Sequence, residues 1–310
     1  MSFTTDVKHE IAQIGLKDCC KKAELSALIQ LCSTLNISSD AVNLVVKTEN
    51  ATIAKRIWIL LKDLYNVETQ LSVMKKMNLK KNNIYYIRIL EKPIEILEDL
   101  GLYSKRGLLD APLMKIVSNE CCAKSYLAGA FMATGSVNAP TKTNYHLEIT
   151  AASSKHVDFL IKLFNRFNLP AKVIVRRSSH VVYLKAADKI ADFLKVIGAF
   201  TALLKYEDIR ISRDFNNSLR RLDNCEVANE MKTLKAAQSQ LNDIEIIEKA
   251  GKLESLDSKL QDVIKLRKEN PEMSLIELSE KYEQESGVIM SKSGIKHRFT
   301  KIREIASKLS

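Results

Sequence analysis

The pattern of hydrophobic and polar residues changes its period along the chain, and these changes predict helices and strands. Two segments, 51–66 and 154–168, place apolar residues every three or four positions, as amphipathic helices do. An apolar helix and a strand precede each segment, and two alternating strands and a short helix follow it. These flanking elements are predicted at 20–34, 43–48, 68–76, 83–90 and 93–100, and again at 121–134, 145–150, 171–177, 180–185 and 188–197.

Residue identity supports this duplication. The stretch CCKKAEL at 19–25 aligns with CCAKSYL at 121–127, and four of the seven pairs are identical. We therefore predict an α+β fold built from two pseudo-symmetric units. Their expected ranges are 1–110 and 111–200, and the two units would pair about an approximate twofold axis.

The remainder of the chain follows a helical period. We predict a helical linker at 201–254, with one helix from about 225 to 249, and an all-α helix-turn-helix domain at 255–310. The linker helix carries an apolar stripe, and the pattern favours packing within the chain over a dimer seam. The residues of this stripe are Val227, Met231, Leu234, Leu241, Ile244 and Ile247.

The C-terminal domain should contain three helices. The first runs from Ser255 to about Lys268, before Asn270-Pro271. Ser274 and Glu277 have the spacing of a capping box for the second helix, and Ser291 can cap the third, Lys292 to about Leu309.

The third helix has an apolar side and a basic, polar side. Its apolar stripe consists of Ile295, Phe299, Ile302, Ala306 and Leu309. The opposite side suits the major groove of DNA, because short polar side chains there can reach base edges. The predicted base-reading residues are Ser293, Lys296, His297 and Thr300, and the predicted phosphate contacts are Lys292, Arg298 and Lys301. A basic surface helix of a small bundle is the alternative.

Charge and hydropathy narrow the class of partner. The 310 residues carry a formal net charge of +11, which favours polyanions such as double-stranded DNA, although a solvated basic surface is an alternative. No apolar run approaches the roughly 18 residues that a membrane span requires, and no secretory signal is evident at the start. We expect a cytoplasmic, nucleoid-associated protein with no membrane partner.

Six cysteines are present, and they lack the C-x2-C spacing of a zinc knuckle. We interpret them as reduced, small apolar residues, and we expect neither a metal site nor a cofactor. One alternative stays open, because residues distant in sequence can meet in space. That alternative is a composite thiol site of Cys19, Cys20, Cys121 and Cys122.

The segment YLAGAFMATGSV at 126–137 resembles the signature helix of LAGLIDADG homing endonucleases. The resemblance implies two αββαββα units that pack through these helices and hold DNA on curved sheets, with a metal-binding acid near the end of each helix. The corresponding positions here are Cys32 and Thr134, which supply no carboxylate, so cleavage is not expected. The sheets could still contact DNA, or their cations could merely protect strand edges. The candidate contacts are Lys75, Arg88, Arg176 and Arg177.

Several motifs in order resemble the WhiA family of bacterial regulators, in which a degenerate LAGLIDADG-like body precedes a helix-turn-helix. They are MSFTTDVKHE, KDCCKKAELSAL, MKKMNLKKNN, YLAGAFMATGSV, YHLEI, RRLDNCEVAN and SKSGIKHRFTKI. The resemblance implies sequence-specific DNA binding, control of transcription, and a part in cell division, chromosome segregation or sporulation. Two alternatives are a residual metal-dependent nuclease and a cell-division adaptor whose DNA contact is incidental. A protein partner of the body is a further expectation.

Overall fold

A computed structural model describes residues 2–37, 42–75, 83–176 and 179–309. The chain divides into two compact units, Met1–Arg213 and Asp214–Ser310. Within the described residues, no helix combines the length and the apolar character that crossing a membrane would require.

The first unit repeats one order of elements twice, which confirms the predicted αββαββα units. After α1 (Phe3–Ile11), the first repeat contains α2 (Asp18–Cys32), β1 (Ser33–Ile37), β2 (Val42–Thr48), α3 (Ala51–Tyr65), β3 (Thr69–Lys75), β4 (Asn83–Ile89) and α4 (Pro93–Asp99). A hairpin of β5 (Tyr103–Ser104) and β6 (Gly107–Leu108), then a 3-10 turn at Met114–Val117, lead to the second repeat. That repeat contains α5 (Glu120–Thr134), β7 (Gly135–Val137), β8 (Leu147–Ala151), α6 (Ser154–Arg166), β9 (Lys172–Arg176), β10 (Ser179–Leu184) and α7 (Ala187–Val196).

Each repeat forms one four-stranded antiparallel sheet. The strand orders are β1-β2-β4-β3 and β7-β8-β10-β9, so the two sheets have the same topology. Side chains along the central strands point alternately to the two faces of each sheet, and one of these faces packs against the core. On that face Val46 is paired with Ile87 in the first sheet, and Ile149 is paired with Val182 in the second. The other face of each sheet carries the polar residues of the same strands.

Helices α2 and α5 join the two repeats through a close approach of their backbones. A Cβ atom added at Gly129 of α5 would lie 2.5 Å from the backbone oxygen of Glu24 and 3.0 Å from the Cβ of Ala27 in α2. Only glycine permits this separation, because any side chain would collide with backbone rather than with a flexible group. The small residues of the signature helix therefore set the distance between the repeats.

A buried polar pair links the signature helix to the next helix in both repeats. Arg56 of α3 donates to the carboxylate of Glu24 at 2.6 Å in the first repeat. At the aligned positions of the second repeat, the Tyr126 hydroxyl and His156 Nε2 are hydrogen-bonded at 2.7 Å. Burial lowers the pKa of His156 to about 4, so this imidazole is neutral at pH 7. The polar pair therefore occupies equivalent positions in the two repeats, but only the pair in the first repeat is an ion pair.

The second unit is helical. It contains the C-terminal part of the long helix α8 (Phe200–Lys249), then α9 (Ser258–Glu269), α10 (Leu275–Ser286) and α11 (Lys292–Ala306). The four helices share one core, which includes Ile244, Val263, Leu278 and Ile302. Arg267 is buried beside this core. It donates to the Gln240 side chain at 3.0 Å and to the Met273 carbonyl at 2.6 Å, which compensates for the desolvation of its guanidinium.

Within the predicted helical linker at 201–254, the helix expected from about 225 begins earlier, at Phe200. One continuous helix passes through most of this range, with Tyr206 buried in the core of the first unit and Ile247 buried in the core of the second. The predicted packing of the apolar stripe within the chain is wrong for three of its residues, because Val227, Met231 and Leu234 are exposed. Helical spacing of apolar residues predicts the helix, but it does not determine which of its turns pack against another part of the chain.

Candidate nucleic-acid interface

The entry into α11 is fixed by local hydrogen bonds. Helix α10 is capped at its end by Gly287, which has the left-handed conformation at φ 70°. Residues with a side chain rarely adopt this conformation, so glycine is favoured at this position. The Ser279 hydroxyl donates to the Met290 carbonyl and so ties the turn to α10. Ser291 then caps α11 by accepting from the Gly294 amide at 3.2 Å, as predicted.

The preceding helix begins with a complete capping box, which confirms the predicted cap. The Ser274 hydroxyl accepts from the Glu277 amide at 3.3 Å, and the Glu277 carboxylate accepts from the Ser274 amide at 2.6 Å. Helix α10 therefore has a defined start, and both helices of the motif are capped by their own sequence.

One side of α11 is buried against the other helices of the second unit. Ile295, Phe299, Ile302 and Ala306 are at most 5% exposed, which confirms this part of the predicted apolar stripe. Because burial on this side fixes the rotation of the helix, the opposite side must face outward.

The four predicted base-reading residues are all exposed on that outward side. They are Ser293, Lys296, His297 and Thr300. The Thr300 hydroxyl donates to the Lys296 carbonyl at 3.0 Å, so it offers its methyl group and its remaining acceptor capacity outward. The Ser293 hydroxyl lies 3.1 Å from that of Ser291. The structure thus brings the quartet together on one accessible surface.

The three predicted phosphate contacts do not share one environment. Lys292 and Lys301 are exposed. Arg298 is partly buried, with its guanidinium carbon 5.5 Å from the centre of the Tyr282 ring. Two of the three cations are therefore directly available to a polyanion, and Arg298 stacks against α10.

Sequence reasoning missed Arg303, which continues the outward side of α11 by one turn. Its guanidinium donates to the Ser239 hydroxyl of α8 at 3.1 Å and lies 3.8 Å from the Asp243 carboxylate. A groove of about 230 Å³ runs between these two helices and is lined in part by Lys296, Thr300 and Arg303. Arg303 follows Thr300 by three residues, and Thr300 follows Lys296 by four. This helical spacing places Arg303 on the same side of α11 and could have identified it from the sequence.

The predicted sheet contacts lie on different faces. Arg88 is paired with Val45 on the outward face of the first sheet. Lys75 is paired with Asn83 at the end of β3, on the face of the sheet that packs against the core elsewhere, and it is exposed because this end of the strand extends beyond the core. Arg176 is on the outward face of the second sheet and contacts the Glu148 carboxylate at 3.2 Å. The fourth candidate, Arg177, lies outside the described residues.

The helix ends that correspond to nuclease metal sites carry no acid. The Thr134 hydroxyl donates to the Thr150 carbonyl at 2.6 Å, so its proton is already engaged. Near Cys32 lies Lys8 of α1, a cation that interacts electrostatically with it, and burial lowers the pKa of Lys8 to about 8. These residues offer no anionic oxygen for a divalent metal ion.

The nearest acids of the body are engaged elsewhere. Glu24 is 1% exposed and paired with Arg56, and Glu148 is bound by His146 at 2.9 Å in addition to Arg176. The pKa of Glu148 is lowered by these cationic and hydrogen-bonding neighbours, against the effect of burial. Both carboxylates therefore serve as partners within the protein.

Comparison with known proteins matches three family models, which together cover most of the chain. They are the WhiA N-terminal LAGLIDADG-like domain at residues 18–103, the WhiA LAGLIDADG-like domain at 123–216, and the WhiA C-terminal HTH domain at 219–306. The third match contains α9, α10 and α11.

Individual relatives match over the full length. The chain is 46% identical over 310 residues to the "Probable cell division protein WhiA" of Bacillus cytotoxicus, covering 100% of this chain and 97% of the relative. It is 45% identical, with the same coverage, to the protein of that name from Bacillus pumilus. Among solved structures, full-length DUF199/WhiA from Thermatoga maritima superposes with a TM-score of 0.60 at 23% identity, covering 100% of this chain and 99% of that one.

Proposed function

The chain belongs to the WhiA family, and on this premise we propose that it is a sequence-specific DNA-binding protein that regulates transcription. The observation that carries the proposal is the outward surface of α11, where four short or basic side chains are exposed beside a fully buried apolar side. A capped helix with this cross-section is suited to the major groove, in which base edges present donors and acceptors.

We assign different roles to the exposed residues of α11. Lys296 and His297 can donate to acceptors on base edges, and Thr300 can contact a thymine methyl group. Lys292 and Lys301 would neutralise flanking phosphates, which adds affinity without sequence preference. Arg298 remains a predicted phosphate contact, and it would have to leave the Tyr282 ring to make one.

The body would add nonspecific affinity. Arg88 and Arg176 are exposed on the outward faces of the two sheets, and Lys75 is exposed at the end of an edge strand. If these cations bind phosphates, replacing any one of them with alanine should reduce the dependence of log affinity on log salt by about 1. A protein partner that binds the body also remains a prediction.

We place the regulator in cell division, because its relatives are named as probable cell division proteins. The family resemblance extends the proposal to chromosome segregation and, where the organism forms spores, to sporulation. We further propose that the protein acts in the cytoplasm, associated with the nucleoid. Mapping bound chromosomal sites in cells, for the intact chain and for a chain lacking α9 to α11, tests this placement.

The direct test uses the double variant K296A/H297A. Duplexes selected from a random pool by the wild-type protein provide a preferred sequence, and a scrambled duplex of equal length provides the nonspecific reference. At one fixed salt concentration, we expect the variant to lose at least tenfold in affinity for the preferred duplex, because a good base contact contributes about 1–3 kcal/mol. Affinity for the scrambled duplex should fall no more than about threefold.

The matched control is K265A, which removes a positive charge from α9 in the same unit. Lys265 is exposed and 4.0 Å from Glu269. This control should leave discrimination between the two duplexes unchanged. An equal loss by K296A/H297A on both duplexes would refute base reading by α11.

A further inference from the structure

The two signature helices each begin with an adjacent pair of cysteines. Cys19 and Cys20 lie in the first turn of α2, and Cys121 and Cys122 lie in the first turn of α5. Because the two helices pack together, all four Sγ atoms lie within 4.8 Å of one another. Cys19 and Cys121 are exposed and the other two are buried, so the cluster can be reached from solvent and is supported from inside.

The sulfur positions approach the geometry of a single tetrahedral ion. Four thiolates around zinc have Zn–S distances of about 2.3 Å, which puts neighbouring sulfurs roughly 3.8 Å apart. The two Sγ atoms are separated by 3.9 Å in the pair of Cys19 and Cys20 and by 4.0 Å in that of Cys121 and Cys122. Each pair thus already spans one edge of such a tetrahedron, and only a small contraction between the pairs is required.

We propose that Cys19, Cys20, Cys121 and Cys122 bind one thiophilic divalent ion, zinc, in a tetrathiolate site that joins α2 to α5. Binding exchanges four thiol protons, which leave to solvent, for four Zn–S bonds. The site is structural because all four positions around the ion are occupied by protein sulfur, leaving no open position for a water or a substrate.

The ligand set selects among metal ions. Four soft sulfurs without a carboxylate disfavour Mg²⁺ and Ca²⁺, which require oxygen ligands. An iron–sulfur cluster distributes its cysteines over several irons and would hold their sulfurs further apart than a shared ion does. The excess negative charge of a zinc tetrathiolate is offset by the positive ends of the two helix dipoles, since all four ligands lie in first turns.

The site would act as a clamp between the repeats. Its ligands come in equal number from two helices that start about a hundred residues apart in the sequence. A bound ion would therefore fix the two helix starts together, and the close approach at Gly129 fixes them further along. Sequence motifs do not identify this site, because two adjacent cysteines match no common zinc-binding spacing.

The first test measures metal in the full-length protein. The protein is purified without chelator in the presence of a phosphine reductant, stripped of metal, and titrated with Zn²⁺ or Co²⁺. We expect about one ion per chain, and the Co²⁺ form should show the intense thiolate-to-cobalt absorption and the visible bands of a tetrahedral sulfur site. Absence of these bands, or binding of no ion at micromolar protein, would overturn the proposal without the use of any variant.

The second test compares C19S/C121S with C225S. The first variant removes one exposed ligand from each helix and leaves the buried cysteines in place, and C225S removes an exposed cysteine of α8 outside the cluster. We expect C19S/C121S to bind zinc at least tenfold more weakly and C225S to match the wild type. A chelator should lower the melting temperature of the first unit in the wild type and in C225S but not in C19S/C121S.

Two outcomes would contradict a metal clamp. Equal zinc binding by all three proteins would locate the ion elsewhere. A disulfide between α2 and α5 in protein isolated from the cytoplasm, detected by mass spectrometry after thiol blocking, would make the cluster a redox cross-link instead.

Discussion

Replacing Gly129 with alanine tests the contact on which the two-repeat body depends. Alanine favours a helix over glycine by about 1 kcal/mol, so the substitution would stabilise an isolated helix. In the body, the new Cβ would lie 2.5 Å from the Glu24 carbonyl oxygen, roughly 0.9 Å closer than ordinary contact. Overpacking of this kind costs about 1–3 kcal/mol, and the upper end applies because the obstacle is backbone.

We therefore expect G129A to be less stable by about 2 kcal/mol despite its better helix propensity. For a unit of this size, that corresponds to a melting temperature about 4–8 °C lower. Differential scanning calorimetry of the full chain can follow the transition of the first unit. G294A is the matched control in α11, because its Cβ would meet side chains and no backbone, Met290 at 3.3 Å and Ser291 at 3.6 Å, and it should not lower the stability of its own unit.

A second substitution distinguishes the two contacts at this point. Changing Ala27 to glycine in the G129A background removes the Cβ contact but leaves the Glu24 carbonyl in place, so we expect little recovery. If G129A alone melts at or above the wild-type temperature, the helices do not approach each other in the way described.

Three further substitutions test local parts of the two units. R56M would leave the Glu24 carboxylate buried without its partner and should destabilise the body by about 3 kcal/mol or more in denaturant unfolding, whereas E24L/R56M should recover much of this; equal stability of R56M and wild type would contradict a buried ion pair. Because the pKa of His156 is about 4 when folded and about 6.5 when unfolded, the unfolded state binds more protons between these values, so the body should lose up to ~3 kcal/mol as pH falls through this window. The melting temperature of H156Q should depend less on pH there, and an unchanged slope would contradict burial of a neutral imidazole. S274A removes the capping box of α10 and should lower the stability of the second unit by about 1 kcal/mol in thermal unfolding, a decrease that S258A, which leaves the box intact, should not reproduce.

Local signals in the sequence predicted much of the fold. The amphipathic period locates α3 to within one residue at its end, and the serine and glutamate of the capping box locate the start of α10. These predictions depend on residues within one or two turns of each other. The strands β1 and β7 were not predicted as separate elements, because runs of five and three residues directly after a helix contain too few alternations to reveal a strand period.

The features that sequence reasoning missed depend on tertiary contacts. The apolar stripe of α11 determines which side of the helix is buried, so the exposure of the four predicted base-reading residues on the opposite side could be predicted. Stacking of Arg298 on Tyr282 and pairing of Arg303 with Asp243 depend on where neighbouring helices lie, which no local pattern specifies. The composite thiol site could be stated from the sequence only as an alternative, because the meeting of the two cysteine pairs requires α2 and α5 to be packed with their first turns together.

Comparison of the two repeats indicates which properties of the body matter. At the buried link, one repeat uses Arg56 with Glu24 and the other uses His156 with Tyr126, so the contact is kept while its charge is not. At the helix ends, Cys32 and Thr134 differ from each other, and neither is an acid. The close approach of the helices, in contrast, requires glycine at one position and tolerates no side chain. Because this contact joins the two repeats through backbone, the body is suited to act as a rigid support, and we infer that it holds its exposed surfaces in place.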